Sequence, residues 1–201
     1  SQQSTTSSST KSKKNVINEF NYYSQITICP PNNTTCTAIS FSNDGKIIAA
    51  AHKGIVSLWS LNINYESMDD QSMIQTPFSK IDTYSSEVSQ IIFMQGTGLI
   101  VTSQIESSKF KGNVCFWDAL LPGRTALVAS LELKEMFGTV LSLAYSPSFS
   151  KIFAGTSRGF TCVIDTKMFS IISVVPCFTK KNHDGVQSLQ IDPQQMFLVA
   201  G

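Results

Sequence analysis

Residues 88–120 read VSQIIFMQGTGLIVTSQIESSKFKGNVCFWDAL, and their order decides the fold. A short apolar run ends on the anchor Phe93. Gln95-Gly96-Thr97-Gly98 then supplies the positive backbone angles of a tight hairpin. The small-residue run LIVTS follows, then a second turn containing Gly112, then Cys115-Phe116-Trp117-Asp118. Three short apolar runs joined by two turns predict an antiparallel meander, and no helical stripe of period 3.6 competes with that reading.

The same order recurs on either side. Residues 37–61 read TAISFSNDGKIIAAAHKGIVSLWSL, and residues 140–166 read VLSLAYSPSFSKIFAGTSRGFTCVIDT. A fourth copy begins at Val186 as VQSLQIDPQQMFLVAG. The anchors Phe41, Phe93, Tyr145 and Ile191 lie 52, 52 and 46 residues apart, the length of a four-stranded blade with some added loop. Alternation of period two in TAISF, IVSLW and LSLAY sends one set of side chains toward each neighbouring sheet. The small strands IIAAA, LIVTS and IFAGT allow those sheets to approach closely. Gly54, Gly112 and Gly159 share one register, and five residues beyond each stand Trp59, Trp117 and Ile164, followed by Ser60, Asp118 and Asp165.

Trp117-Asp118 is thus the Trp-Asp pair of a WD repeat, with degenerate versions in the repeats beside it. The indole fills a wide gap between blades, and the aspartate accepts hydrogen bonds from turn amides. The expected fold is all-β, a partial WD-repeat β-propeller with complete blades at about 36–82, 87–133 and 139–178 and partial blades at both ends, an outer strand at the front and the start of a further blade at 185–201. Outer strands are expected at Tyr22–Cys29, Ile74–Asp82, Thr125–Leu133 and Ile171–Phe178. Asn182-His183-Asp184 stands where these repeats carry a Gly-His pair, which gives His183 a structural hydrogen-bonding role. A ring ordinarily has four to eight blades, so the remaining blades of the same propeller are expected as partners of the open edges.

With 201 residues, 42% of them hydrophobic and 14% charged, the chain can bury a real core. Its net charge of +1 provides no field for nucleic acid or an anionic membrane. Residues 1–19, rich in Ser, Thr and Lys, predict a disordered tail or linker without the apolar centre of a signal peptide. No apolar run is long enough to insert directly into a membrane. The five cysteines at 29, 36, 115, 162 and 177 form no CxxC pair, which points to a reducing, cytoplasmic setting rather than a disulfide framework.

The stretch WDALLPGRTALV, residues 117–128, resembles the C-terminal WD region of the DmX-like/rabconnectin family, which includes the large subunit of the fungal RAVE complex. The resemblance runs over about residues 22–201, with Ser60 in place of the aspartate in the first repeat and Ile164 in place of the tryptophan in the third. It implies a large cytosolic scaffold, peripheral at endosomal or vacuolar membranes. Such a scaffold promotes assembly of the vacuolar proton pump (V-ATPase), with pump subunits and other RAVE-type subunits as its protein partners. A generic WD-repeat adaptor in ubiquitin ligation, trafficking or RNA processing is the alternative.

No enzyme is expected. GTGLIV and GTSRGF lack the pattern of a phosphate loop, no GxSxG elbow exists, and His52 and His183 fall in turn positions. No metal-ligand spacing is present and no cofactor is expected. The Phe-Arg-Arg-Gly signature of phosphoinositide-reading propellers is absent, and Leu120 stands where substrate receptors of ubiquitin ligases carry an arginine. The candidate interaction face is the end of the blades carrying Lys53, Lys109, Lys111 and Arg158 in the turns between second and third strands. The inter-blade links add Lys134, Lys180, Lys181 and His183, interrupted by Glu87 and Glu135. Together these cations would meet an acidic protein segment.

Overall fold

The computed structural model describes residues 34–61, 76–84, 87–105, 114–178 and 185–201. Within them β-branched and aromatic runs alternate with turns, and each run forms a strand. The first sheet contains β1 (Ala38–Phe41), β2 (Ile47–His52), β3 (Ile55–Ser60) and β4 (Ser79–Asp82). The second contains β5 (Val88–Phe93), β6 (Leu99–Gln104), β7 (Val114–Asp118) and β8 (Leu127–Leu131). The third contains β9 (Val140–Ser146), β10 (Lys151–Thr156), β11 (Phe160–Asp165) and β12 (Ser170–Pro176). A two-stranded sheet of β13 (Leu189–Ile191) and β14 (Leu198–Ala200) follows.

Every pairing is antiparallel between consecutive strands, so each blade is a meander and no strand crosses over. The register repeats as well: Ile48 pairs with Trp59, Ile100 with Trp117 and Ile152 with Ile164. Innermost strands β1, β5, β9 and β13 lie side by side in that order, the radial arrangement of a propeller. The expected WD-repeat propeller, with three complete blades and the start of a further one, is therefore the observed architecture, while the partial blade expected at the front lies outside the described residues.

Alternation within the strands divides the core into seams. Ala49, Ala51, Val56, Leu58 and Ile81 of the first blade meet Val88, Ile91, Ile100, Cys115 and Trp117 of the second. On the opposite face of the second blade, Val101, Val114 and Phe116 meet Leu143, Ile152, Ala154, Cys162 and Ile164 of the third. Adjacent residues of β7 thus serve two seams: Cys115 and Trp117 point one way, Val114 and Phe116 the other. Polar side chains stitch the inner strands. Ser89 donates to the Val140 carbonyl at 3.1 Å, the Leu143 amide donates to the Gln90 side chain, and Ser142 donates to the Val186 carbonyl at 2.8 Å.

The outer strands are shorter than the sequence implies. Expected at Thr125–Leu133, the second outer strand is β8 from Leu127 to Leu131, because Gly123–Ala126 forms a 3-10 turn after Pro122, with Gly123 at φ 60°. The third, expected at Ile171–Phe178, stops at Pro176, opposite Phe160 where its partner β11 begins, and beyond it the Cys177 amide donates to the Gly159 carbonyl of the turn at 2.8 Å. In the first blade β4 begins at Ser79; residues 74 and 75 of that expected strand, the expected strand at 22–29 and the tail at 1–19 lie outside the described residues.

Candidate functional site

Trp117 is fully buried in the seam between the first two blades. Its indole N–H would be an unmet donor there, and it donates to Thr102 Oγ1 at 2.8 Å. Gln104 Nε2, also buried, donates to the same hydroxyl at 3.1 Å. Ile164 occupies the equivalent place in the next seam, in one cluster with Ala154, with no polar atom to satisfy. Trp59 is fully buried beside Ile48 and Ala50.

The aspartates after these positions hold turns. Asp118 accepts the Leu120 amide at 2.8 Å. Asp165 accepts the amides of Lys167 at 2.8 Å and Met168 at 2.9 Å, and pairs with Lys151. The Lys151 ammonium and then the Met168 and Lys167 amides hold the Asp165 carboxyl down at about 2. Ser60, exposed, ends β3.

WDALLPGRTALV makes a clamp between blades that the sequence did not reveal. Arg124 Nε donates to Asp82 Oδ2 of the first blade at 2.9 Å, while its guanidinium lies 4.8 Å from the Tyr84 ring centroid. Tyr84 stacks on Trp117 with centroids 6.4 Å apart, and its amide donates to Asp82 Oδ1 at 3.1 Å. One arginine thereby links the outer strand of one blade to the tryptophan of the next.

His52, expected in a turn, is the last residue of β2 and is buried. Its Nε2 lies 3.0 Å from Ser57 Oγ. Burial, and then the charge of Lys80, pushes its pKa below the ordinary 6.5. The folded state therefore binds the proton less well than the unfolded chain, so stability is complete above pH 6.5 and falls as acid drives the proton on. We expect His52→Gln to flatten the decline of the urea midpoint below pH 6.5 relative to the parent chain. An unchanged acid slope would show that His52 does not carry that decline.

Of the expected basic face, Lys53 and Arg158 are exposed in the β2–β3 and β10–β11 turns at the same end of the blades. Both turns are anchored. The Thr83 amide and hydroxyl both donate to the Gly54 carbonyl, at 2.9 and 2.7 Å. Ser157 N donates to the Thr139 carbonyl at 2.8 Å, and Thr139 N to Ser157 Oγ at 3.0 Å, which seats Arg158 against the link bearing exposed Lys134 and Glu135. A Cβ on Gly138, at φ 77°, would lie 2.2 Å from Ser157 Oγ, so this close approach needs glycine. Lys109, Lys111, Lys180, Lys181 and His183 lie outside the described residues.

Buried Cys115 and Cys162 have thiols pushed up by desolvation to about 12 and about 11, which keeps them protonated and unreactive. Among the described residues no three His, Cys, Asp or Glu side chains converge as metal ligands. No described helix is long and apolar enough to cross a membrane.

Residues 23–60 match the family described as WD domain, G-beta repeat. Over 171 residues, 84% of this chain, the sequence is 25% identical to DmX-like protein 1 of Mus musculus, and it spans about 5% of that protein's length. Among solved structures it resembles the Cps50 (Swd1) β-propeller domain of Myceliophteria thermophila, with a TM-score of 0.61 at 16% identity, covering 83% of this chain and 48% of that one. It also resembles the computationally designed Ika4 protein, with a TM-score of 0.60 at 18% identity, covering 89% of this chain and 92% of that one. These two likenesses concern the fold, and the chain is a WD-repeat β-propeller.

Proposed function

We propose that this propeller belongs to a non-catalytic scaffold that promotes assembly of the vacuolar/endosomal proton pump, in the manner of the large RAVE subunit. The observation that carries the reading is the 25% identity to DmX-like protein 1 across 84% of the chain. That span includes WDALLPGRTALV, whose Arg124 bridges two blades. V-ATPase subunits and other RAVE-type subunits are the partners, and the setting is the cytoplasm, at the periphery of endosomal or vacuolar membranes. Affinity purification of the full-length protein from cells in which the pump has been dissociated and is rebuilding should recover pump subunits. Their absence under those conditions would sink the proposal.

The basic end of the blades is the surface we assign to an acidic segment of a partner. Lys53 and Arg158 project from anchored turns, Lys134 is exposed on the link whose Gly138 and Thr139 pack on the Arg158 turn, and the sequence adds Lys109, Lys111, Lys180 and Lys181 in the corresponding turns and links. Close cations act together over roughly 8 Å at physiological salt. Reversing Lys53 and Arg158 to Glu together should weaken partner capture about tenfold and reduce its salt dependence. Unchanged capture would remove this face from the interaction.

A further inference from the structure

The internal seams repeat one fitting. Val88, Val140 and Val186 each stand five residues before an inner-strand anchor, and all three are buried as plugs at the start of their blades. A serine of the preceding blade receives the second and third of them. Ser89 Oγ donates to the Val140 carbonyl at 3.1 Å and lies 2.8 Å from Ser103 Oγ; Ser142 Oγ, opposite Gly155, donates to the Val186 carbonyl at 2.8 Å. The last sheet carries the receiving half again. Ser188 stands two residues after Val186 as Ser142 stands two after Val140, and it exchanges both backbone bonds with Gly201 at 2.9 and 3.1 Å. Ser188 and Gly201 are exposed, and no described residue accepts from the Ser188 hydroxyl. Val199, the counterpart of fully buried Ala49 and Val101, is 64% exposed. The first blade carries the plug half. Its plug position, five residues before Phe41, is Cys36, which is exposed. Ile39 is 59% exposed, whereas its register counterparts Ile91 and Leu143 are buried against the blade before them. Trp59, Ile48 and Ala50 on the same sheet face are buried, so the bare part is the inner strand.

We propose that these two ends are seam halves of one closed ring completed by further blades of the same polypeptide. A following blade seats its plug on Ser188 and Gly201, and the blade that closes the ring receives Cys36 on a hydroxyl of its own. The molecule itself names the occupant, because at each internal seam the faces equivalent to Ile39 and Val199 are covered by a blade. At Ser188 the occupant offers the carbonyl of a small apolar residue that starts an inner strand, as Val186 does at Ser142. At Cys36 it offers a serine or threonine beside a small residue, as Ser89 beside Ser103 or Ser142 opposite Gly155. Each seam joins blades that follow one another in the chain, which makes the same polypeptide the source. The fold likeness to the Cps50 (Swd1) propeller domain covers 48% of that chain, so an arc of about this size completes a ring. The end repeats of an open array carry a polar outer face, whereas Ile39, Phe41 and Val199 are apolar. Ring closure does not require that the pump be the target of the whole protein.

Iodoacetamide labelling of the native full-length protein, read at Cys36 by mass spectrometry, tests the front seam without a substitution. Cys36 should react at least about tenfold more slowly than in the same protein in urea, because a thiol held in a seam is out of reach. Photo-crosslinking from position 41, with benzoylphenylalanine in place of Phe41, identifies what covers it. Its counterparts Phe93 and Tyr145 are only half-buried, so the larger ring has room at the rim of the seam. The expected product is an intramolecular link to a segment of the same polypeptide outside residues 1–201 that carries a small-residue strand after a hairpin glycine. At the back, Ser188→Ala in the full-length protein should accelerate hydrogen exchange of the Val199 peptide about fivefold, the effect of losing one seam bond. Equal labelling rates of Cys36 in buffer and in urea, a link to a second copy, to another protein or within residues 1–201, no link, or unchanged exchange in Ser188→Ala each overturns the proposal.

Discussion

Trp117→Ala is expected to lower the unfolding free energy by about 3–5 kcal/mol, the range for emptying a buried aromatic site. The indole fills the seam between the first two blades, packs on Tyr84, and gives its N–H to Thr102. Alanine leaves a void bounded by two sheets that are each pinned to their neighbours, so the site cannot collapse fully. Trp117→Phe keeps most of the apolar volume and loses the hydrogen bond, for which about 1 kcal/mol is expected beyond the smaller packing loss. Urea denaturation monitored by far-UV circular dichroism measures both. Equal losses for Phe and Ala would mean that filling the seam with a ring contributes little to stability.

Gly155→Val is expected to cost about 2–4 kcal/mol, combining overpacking with loss of a seam hydrogen bond. A Cβ at this position would lie 2.3 Å from Ser142 Oγ and 2.6 Å from Val186 Cγ1, distances at which something must move. Ser142 is not free to move without consequence, since its hydroxyl donates to the Val186 carbonyl at 2.8 Å. The Val186 amide in turn donates to the Thr156 carbonyl at 2.9 Å, so the added volume strains both bonds that hold Val186 to the third blade. Hydrogen exchange at the Val186 amide should accelerate in Gly155→Val while amides of β6 keep their protection. Uniform acceleration across all blades would instead indicate global loss of structure, and no acceleration would show that the seam accommodates the side chain.

The repeat was legible because its signals are local. The anchors Phe41, Phe93 and Tyr145, the hairpin glycines and the Trp-Asp pair each report on one strand or turn, and the common register of Trp59, Trp117 and Ile164 is reproduced by the strand pairing. The Thr102–Trp117 bond left only a local trace: the second repeat carries threonine at that point of its second strand, where the repeats of Trp59 and Ile164 carry Ala50 and Ala154. Reading the second strand solely for small residues passes over it.

The Arg124 clamp left no comparable trace, because Asp82 and Arg124 lie 42 residues apart and become neighbours only when two sheets pack. His52 was misplaced for a related reason. Its position before Lys53-Gly54 resembles a turn, yet β2 runs through it to the turn itself and the ring is buried.

Each blade is contiguous in the chain, and each seam joins blades that follow one another directly. Successive anchors stand 52 residues apart, so at roughly 5–20 residues per second a ribosome delivers the next blade in about 3–10 s. For that interval the face formed by Ala49, Ala51, Val56 and Leu58 waits in water, longer than a hairpin takes to close but short for a nascent chain. The order of the seams therefore sets a timetable for synthesis, in which the emerging chain must hold one apolar sheet face until the next arrives to cover it.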